Sequence, residues 1–140
     1  MSSIQHLVDA HAITTAQSIA VRGKVHRLPD ECAGLTAFVN FVRGGGGTTA
    51  KVYIQTSFDD KGTWMDIMSF AFTTSSLKGV LSVREETAIT TAVVPVDGAL
   101  AAGAVSGAIG KFLRAKIVTT GTYTGITTVD VRIRIEHGNN

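Results

Sequence analysis

A chain of 140 residues, 44% apolar and 17% charged, is long enough for one domain and apolar enough to build a core, which excludes intrinsic disorder. A net charge of +2 with no run of basic residues excludes the dense cationic stripe of a nucleic-acid binder. No stretch of about 18 residues is uninterrupted by polar groups, so no membrane-spanning helix is expected. The single cysteine, Cys32, excludes an intramolecular disulfide framework and fits a reducing cytoplasm.

Polar positions are filled mostly by Thr and Ser. The 15 glycines, against 2 prolines, supply turns and bulges, and this balance leans all-β. Residues 1–12 are weakly patterned and read as an N-terminal arm or a marginal first strand, ahead of a single β-sandwich domain over residues 13–138. The chain start has neither the basic residues nor the continuous apolar core of a signal peptide. As an arm, residues 1–10 would be removable without loss of the fold.

Leu35 to Arg43 (LTAFVNFVR) is a strand rich in aromatic and branched residues. It runs into Gly44 to Gly47, which reads as a mobile hairpin tip, and Ala50 to Phe58 (AKVYIQTSF) is the return strand. There Lys51, Tyr53 and Gln55 fall opposite Val52, Ile54 and Thr56. Ser57 to Trp64 (SFDDKGTW) is similar to the Asp-box hairpin of sialidase propellers, with Gly62 one place late. A propeller needs at least four blades of about 40 residues each, which this chain cannot supply. The segment is therefore a turn: Asp59 or Asp60 caps it, Gly62 closes it, and Trp64 anchors the corner in the core.

Trp64 to Phe72 and Thr87 to Val96 follow as strands, the latter ending at an edge because of Pro95. Gly98 to Gly110 is small, apolar and glycine-punctuated, and fits either a short helix over Leu100 to Ile109 or a loop. Phe112 to Thr120 and Thr128 to Glu136 are joined by the glycine-bounded Gly121–Gly125 link and read as a C-terminal hairpin. In the last strand Val129, Val131, Ile133 and Ile135 share one face, and Asp130, Arg132, Arg134 and Glu136 the other. Seven or eight short strands in all predict an all-β, antiparallel β-sandwich, jelly-roll-like.

Chemistry is sparse in the pattern. His6, His11, His26 and His137 lack metal-ligand spacing and read as surface or terminal residues. Cys32 has no signature of a catalytic thiol, the glycine tract has no P-loop lysine, and Val105-Ser106-Gly107 is no nucleophile elbow. The pairs Glu85-Glu86 and Asp59-Asp60 point to opposite faces of any strand. No catalytic, cofactor-binding or metal residue is assigned, and a non-enzymatic role without cofactor is expected. If the two C-terminal strands pair, Arg114, Lys116, Arg132 and Arg134 share a sheet face with Asp130 and Glu136. That face is either solvated, with cross-strand ion pairs, or a docking face for an acidic protein surface.

The glycine-rich tip, then KVYIQTSFDDKGTWMDIMSFAFTTSS, a Thr-rich strand, VDGALAAG and LRAKIVTTGTYTGITTVDVRI, resembles small structural proteins of tailed bacteriophages. The similarity runs over about residues 37–135, and no catalytic residue travels with it. It implies a virion structural protein, assembled in the host cytoplasm. The resemblance implies a cement or decoration protein bound to the major capsid protein as a dimer or trimer, with no nucleic-acid or membrane partner. Two alternatives stay open. One is a neck or tail component; the other is a carbohydrate-binding module using Tyr53, Tyr123 and Trp64 as its aromatic platform.

Overall fold

The structure, a computed structural model, describes residues 2–13, 18–20 and 25–138. Met1 of the N-terminal segment, and residues 14–17 and 21–24 of the expected domain, lie outside the described residues. In chain order the strands are β1 (Ser2–Ala12), β2 (Ser18–Ala20), β3 (His26–Arg27), β4 (Cys32–Val42), β5 (Gly45–Gly46) and β6 (Thr49–Ser57). They continue with β7 (Met65–Phe72), β8 (Leu77–Arg84), β9 (Gly103–Ala104), β10 (Phe112–Thr120), β11 (Tyr123–Thr124) and β12 (Thr128–His137). The fold is all-β with no helix among the described residues. Seven strands are eight residues or longer, and the other five are bridges of two or three residues.

Alternation decides which side chains go inside. Val129, Val131, Ile133 and Ile135 of β12 are buried, as are Leu35, Ala37, Val39 and Phe41 of β4 and Leu113, Ala115 and Ile117 of β10. Such half-buried strands need a second apolar face to cover them, and antiparallel sheets in a sandwich provide it. Sheet I has the order β1-β12-β4-β8 and sheet II the order β2-β10-β6-β7-β9, with β3 also on β10. All ladders are antiparallel. Between the sheets Phe41 stacks on Phe72 at 5.1 Å and meets Tyr123 edge-on at 5.7 Å.

The expected C-terminal hairpin does not form. β10 pairs with β6 in sheet II, whereas β12 pairs with β1 and β4 in sheet I. The Gly121–Gly125 link crosses one end of the sandwich, and the reason is Tyr123. Its ring is buried against Phe41, and its hydroxyl donates to the Thr73 carbonyl at 2.7 Å. β11 then pairs with β5 inside the glycine tract. Gly47 has φ +77°, and any methyl there would overlap the Tyr123 ring. The tract is therefore glycine because it must approach another chain segment closely, and it is a packed seat rather than a mobile tip.

Two further expectations change, and one left open resolves. Residues 2–12 form a full strand, with Leu7 and Val8 both in the core. Thr87 to Val96 is not a strand: Ile89, Val93 and Val94 are exposed, so its β-branched residues have no covered face to alternate against. Residues 98–110 take the loop alternative, not the helix, and the two-residue β9 within them pairs with Met68 and Ser69 of β7. Besides the short bridges, one long strand was not foreseen, β8, because only Leu81 and Val83 of LKGVLSVR turn inward while Leu77 and Val80 stay exposed.

The SFDDKGTW turn forms, with altered roles. The Asp59 carboxylate accepts hydrogen bonds from the Thr63 amide at 2.6 Å and the Ser57 hydroxyl at 3.2 Å, and the Asp59 carbonyl accepts from Gly62 N–H. Left-handed φ values fall on Asp60 (57°) and Lys61 (72°), not on Gly62. Trp64 does not anchor the core: it is half-buried on the outside of sheet II, beneath the Arg114 guanidinium at 4.2 Å.

Candidate docking faces

Each sheet has one face turned away from the core, and the two are used differently. On sheet II, cross-strand register sets Gln55 opposite Arg114 and Tyr53 opposite Lys116, while Asp66 of β7 faces Gln55 on its other side. The connection after β8 returns over these residues. Asp66 is 1% exposed. Its carboxylate accepts from the consecutive backbone N–H groups of Gly98 (2.8 Å), Ala99 (2.9 Å) and Leu100 (3.1 Å), and from the Gln55 amide at 2.7 Å. A buried carboxylate is tolerated when donors converge on it this way.

The network continues outward. Gln55 also donates to Asp97 at 2.6 Å and accepts from Arg114 Nε at 2.7 Å. Lys116 Nζ lies 3.0 Å from Asp97 Oδ1, and Arg114 Nη2 lies 3.6 Å from its other oxygen. Arg114 and Lys116 are thus spent inside the molecule, holding the long connection down. Burial pushes Tyr53 above the ordinary phenol range, with the Asp66 charge adding to it.

Burial alone would raise the Asp97 carboxyl. The hydrogen bonds from Gln55 and Lys116, with the Lys116 and Arg114 charges, outweigh it and hold Asp97 below its ordinary value. A carboxyl lowered in the fold contributes stability above its unfolded pKa, and that contribution is lost as pH falls through the folded value. Stability is therefore expected to hold at neutral pH and decline below the ordinary carboxylate range. Asp97→Asn should flatten that acid limb in urea midpoints measured against pH; an acid limb as steep as wild type would remove Asp97 from the latch.

The outer face of sheet I carries no such cover among the described residues. Its register lays out the rows Ile4–Arg134–Thr36–Ser82, His6–Arg132–Phe38–Val80 and Asp130–Asn40–Lys78. Ile4 is 70% and Val80 61% exposed, and Phe38 lies half-buried between them. Ile4, Thr36, Phe38, Arg132 and Arg134 line a hollow of about 240 Å³. Arg132 is held by Asp130 at 3.4 Å, whereas Arg134 and Lys78 have no ion-pair partner among the described residues. The four basic residues read as one face are therefore two pairs on opposite sides of the molecule. Only Arg132 and Arg134 lie on an open sheet face.

The expected aromatic platform is not assembled either. Tyr53 and Tyr123 are buried, and Trp64 is capped by Arg114. Cys32 is buried, its thiol directed to the Gly34 carbonyl, and burial raises it above the ordinary thiol range, which disfavours the reactive thiolate. Comparison with family models, with curated proteins and with solved structures finds no match to this chain.

Sequence reasoning missed Phe38 and Val80 on the outer face of sheet I and Asp66 under the connection over sheet II. The signal for Phe38 was present: with Leu35, Ala37, Val39 and Phe41 inward, alternation turns Phe38 out. The Asp66 latch had no local signal, because its backbone donors lie more than thirty residues away.

Proposed function

We propose that this chain is a virion structural protein of the tailed-phage cement or decoration type, with a jelly-roll sandwich that docks through the outer face of sheet I. Four ladders support the jelly-roll reading: β1 with β12, β2 with β10, β4 with β8 and β6 with β7. They nest one inside the next along the chain, as when one long antiparallel hairpin is rolled into two sheets. Jelly rolls recur in viral capsid and lectin domains, which is support by analogy of fold.

The observation that carries the docking reading is the asymmetry of the two outer faces. Sheet II is covered over Gln55 and Asp66 by the protein's own connection, and Arg114 and Lys116 there are internally paired. Sheet I leaves Ile4 and Val80 exposed and Phe38 half-buried beside Arg134 and Lys78, which have no ion-pair partner among the described residues. An apolar centre flanked by unpaired cations suits a partner surface that offers apolar and acidic groups together. The major capsid protein is the partner the sequence resemblance implies, and a dimer or trimer of this chain would multiply modest contacts at symmetry-related junctions by avidity.

Co-sedimentation with capsid shells lacking this protein tests the reading. Phe38→Asp and Arg134→Glu are each expected to weaken binding about thirtyfold or more, corresponding to about 2 kcal/mol for a central contact. Lys51→Glu, on an exposed position of β6 in sheet II, should bind as wild type. Circular dichroism would check that all three fold. Wild-type binding by both sheet I variants would remove that face from the interface.

A further inference from the structure

We infer that His6, Asp9 and Asp130, at the β1 end of sheet I, form a site for a divalent cation of the zinc class. On a regular strand residues 6 and 9 would face opposite sides. In β1 the register against β12 shifts between His6 and Val8 and again between Val8 and His11. Leu7 and Val8 therefore both enter the core, and Asp9 emerges on the same outer face as His6. Bulges are a recurrent means of re-aiming a side chain beside a functional site.

The three residues converge. One ligand atom from each lies within 4.8 Å of the others, and His6 Nε2 is 3.3 Å from Asp130 Oδ1. Bonds of about 2.0–2.2 Å to one tetrahedral ion place its ligand atoms roughly 3.3–3.6 Å apart, so a small side-chain rotation of exposed Asp9 completes the set. One imidazole nitrogen with two carboxylate oxygens favours zinc, cobalt or nickel over calcium or magnesium, which prefer all-oxygen shells. Remaining coordination positions stay open to water.

A cation already presses on these groups. Arg132 Nε lies 3.1 Å from His6 Nε2 and 3.4 Å from Asp130 Oδ2. The guanidinium engages the imidazole nitrogen and the carboxylate that an ion would need. It is also half-exposed and free to swing toward solvent. Arg132 therefore acts as an intramolecular competitor, which gives the site an uncommon signature.

Calorimetric titration of the full chain with zinc chloride tests the inference. Wild type should bind one equivalent per chain. His6→Gln and Asp9→Asn should each weaken binding about tenfold or more, in line with the loss of a group that tunes or ligates a metal. Arg132→Gln should tighten binding severalfold, a gain that partial unfolding cannot imitate. Absence of saturable zinc binding in wild type, unchanged affinity in both ligand variants, or unchanged affinity in Arg132→Gln would each overturn the site.

Discussion

Asp66→Ala is expected to destabilise the fold by about 3 kcal/mol or more and to release the segment around residues 97–100 before the rest unfolds. The substitution leaves the N–H groups of Gly98, Ala99 and Leu100 without their acceptor and takes one partner from the Gln55 amide. A fully buried donor so orphaned costs about 1–3 kcal/mol, and these part-buried N–H groups lose less wherever water reaches them. It also leaves Arg114 and Lys116 with Asp97 as their remaining nearby carboxylate. Urea unfolding gives the total loss. Amide exchange at Gly98, Ala99 and Leu100 shows whether the latch opens first. Wild-type stability and unchanged exchange in Asp66→Ala would mean that the connection is held by something other than this carboxylate.

Deleting residues 1–12 is expected to unfold the domain or lower its stability by on the order of 3–6 kcal/mol, counting only the burial of Leu7 and Val8 at about 1.5–3 kcal/mol each. Both side chains are fully buried, and the strand that carries them pairs with β12 from Ser2 to Ala12. Without it, β12 becomes an edge and the inner face of sheet I opens at Val131 and Val129. A domain of this size has only about 5–15 kcal/mol to lose. Thermal melts by circular dichroism decide the matter. A deletion that melts with wild type would return residues 1–12 to the status of a detachable arm.

These two cases mark the limit of what local pattern could reveal. Strict alternation in VDVRIRIEH, and in AFVNFV with its neighbours, was enough to find strands and their inner faces, because burial on one side imposes period two. Pattern could not say which strands become neighbours. Phe112 to Thr120 and Thr128 to His137 both alternate, and only the burial of Tyr123 between them sends them into different sheets. The N-terminal strand was obscured by its bulge, since consecutive inward Leu7 and Val8 break the period. Thr87 to Val96 misled in the other direction, having β-branched composition without a covered face.

The basic quartet shows the same limit at the level of function. Arg114, Lys116, Arg132 and Arg134 alternate identically along their strands, yet two pair with Asp97 of the overlying connection and two lie on the open face of sheet I. Charge pattern reports which residues avoid the core, and topology decides what they meet instead. The open face of sheet I emerges only when Ile4, Phe38 and Val80 are brought side by side from β1, β4 and β8.

Cryo-electron microscopy of phage particles assembled with this protein tests the central proposal most directly. The expected map has many copies repeated across the outer shell, each with Ile4, Phe38, Val80 and Arg134 of sheet I against the major capsid protein. A single ring-sized set of copies at the neck or tail, or sheet I facing solvent with sheet II against the shell, would contradict it.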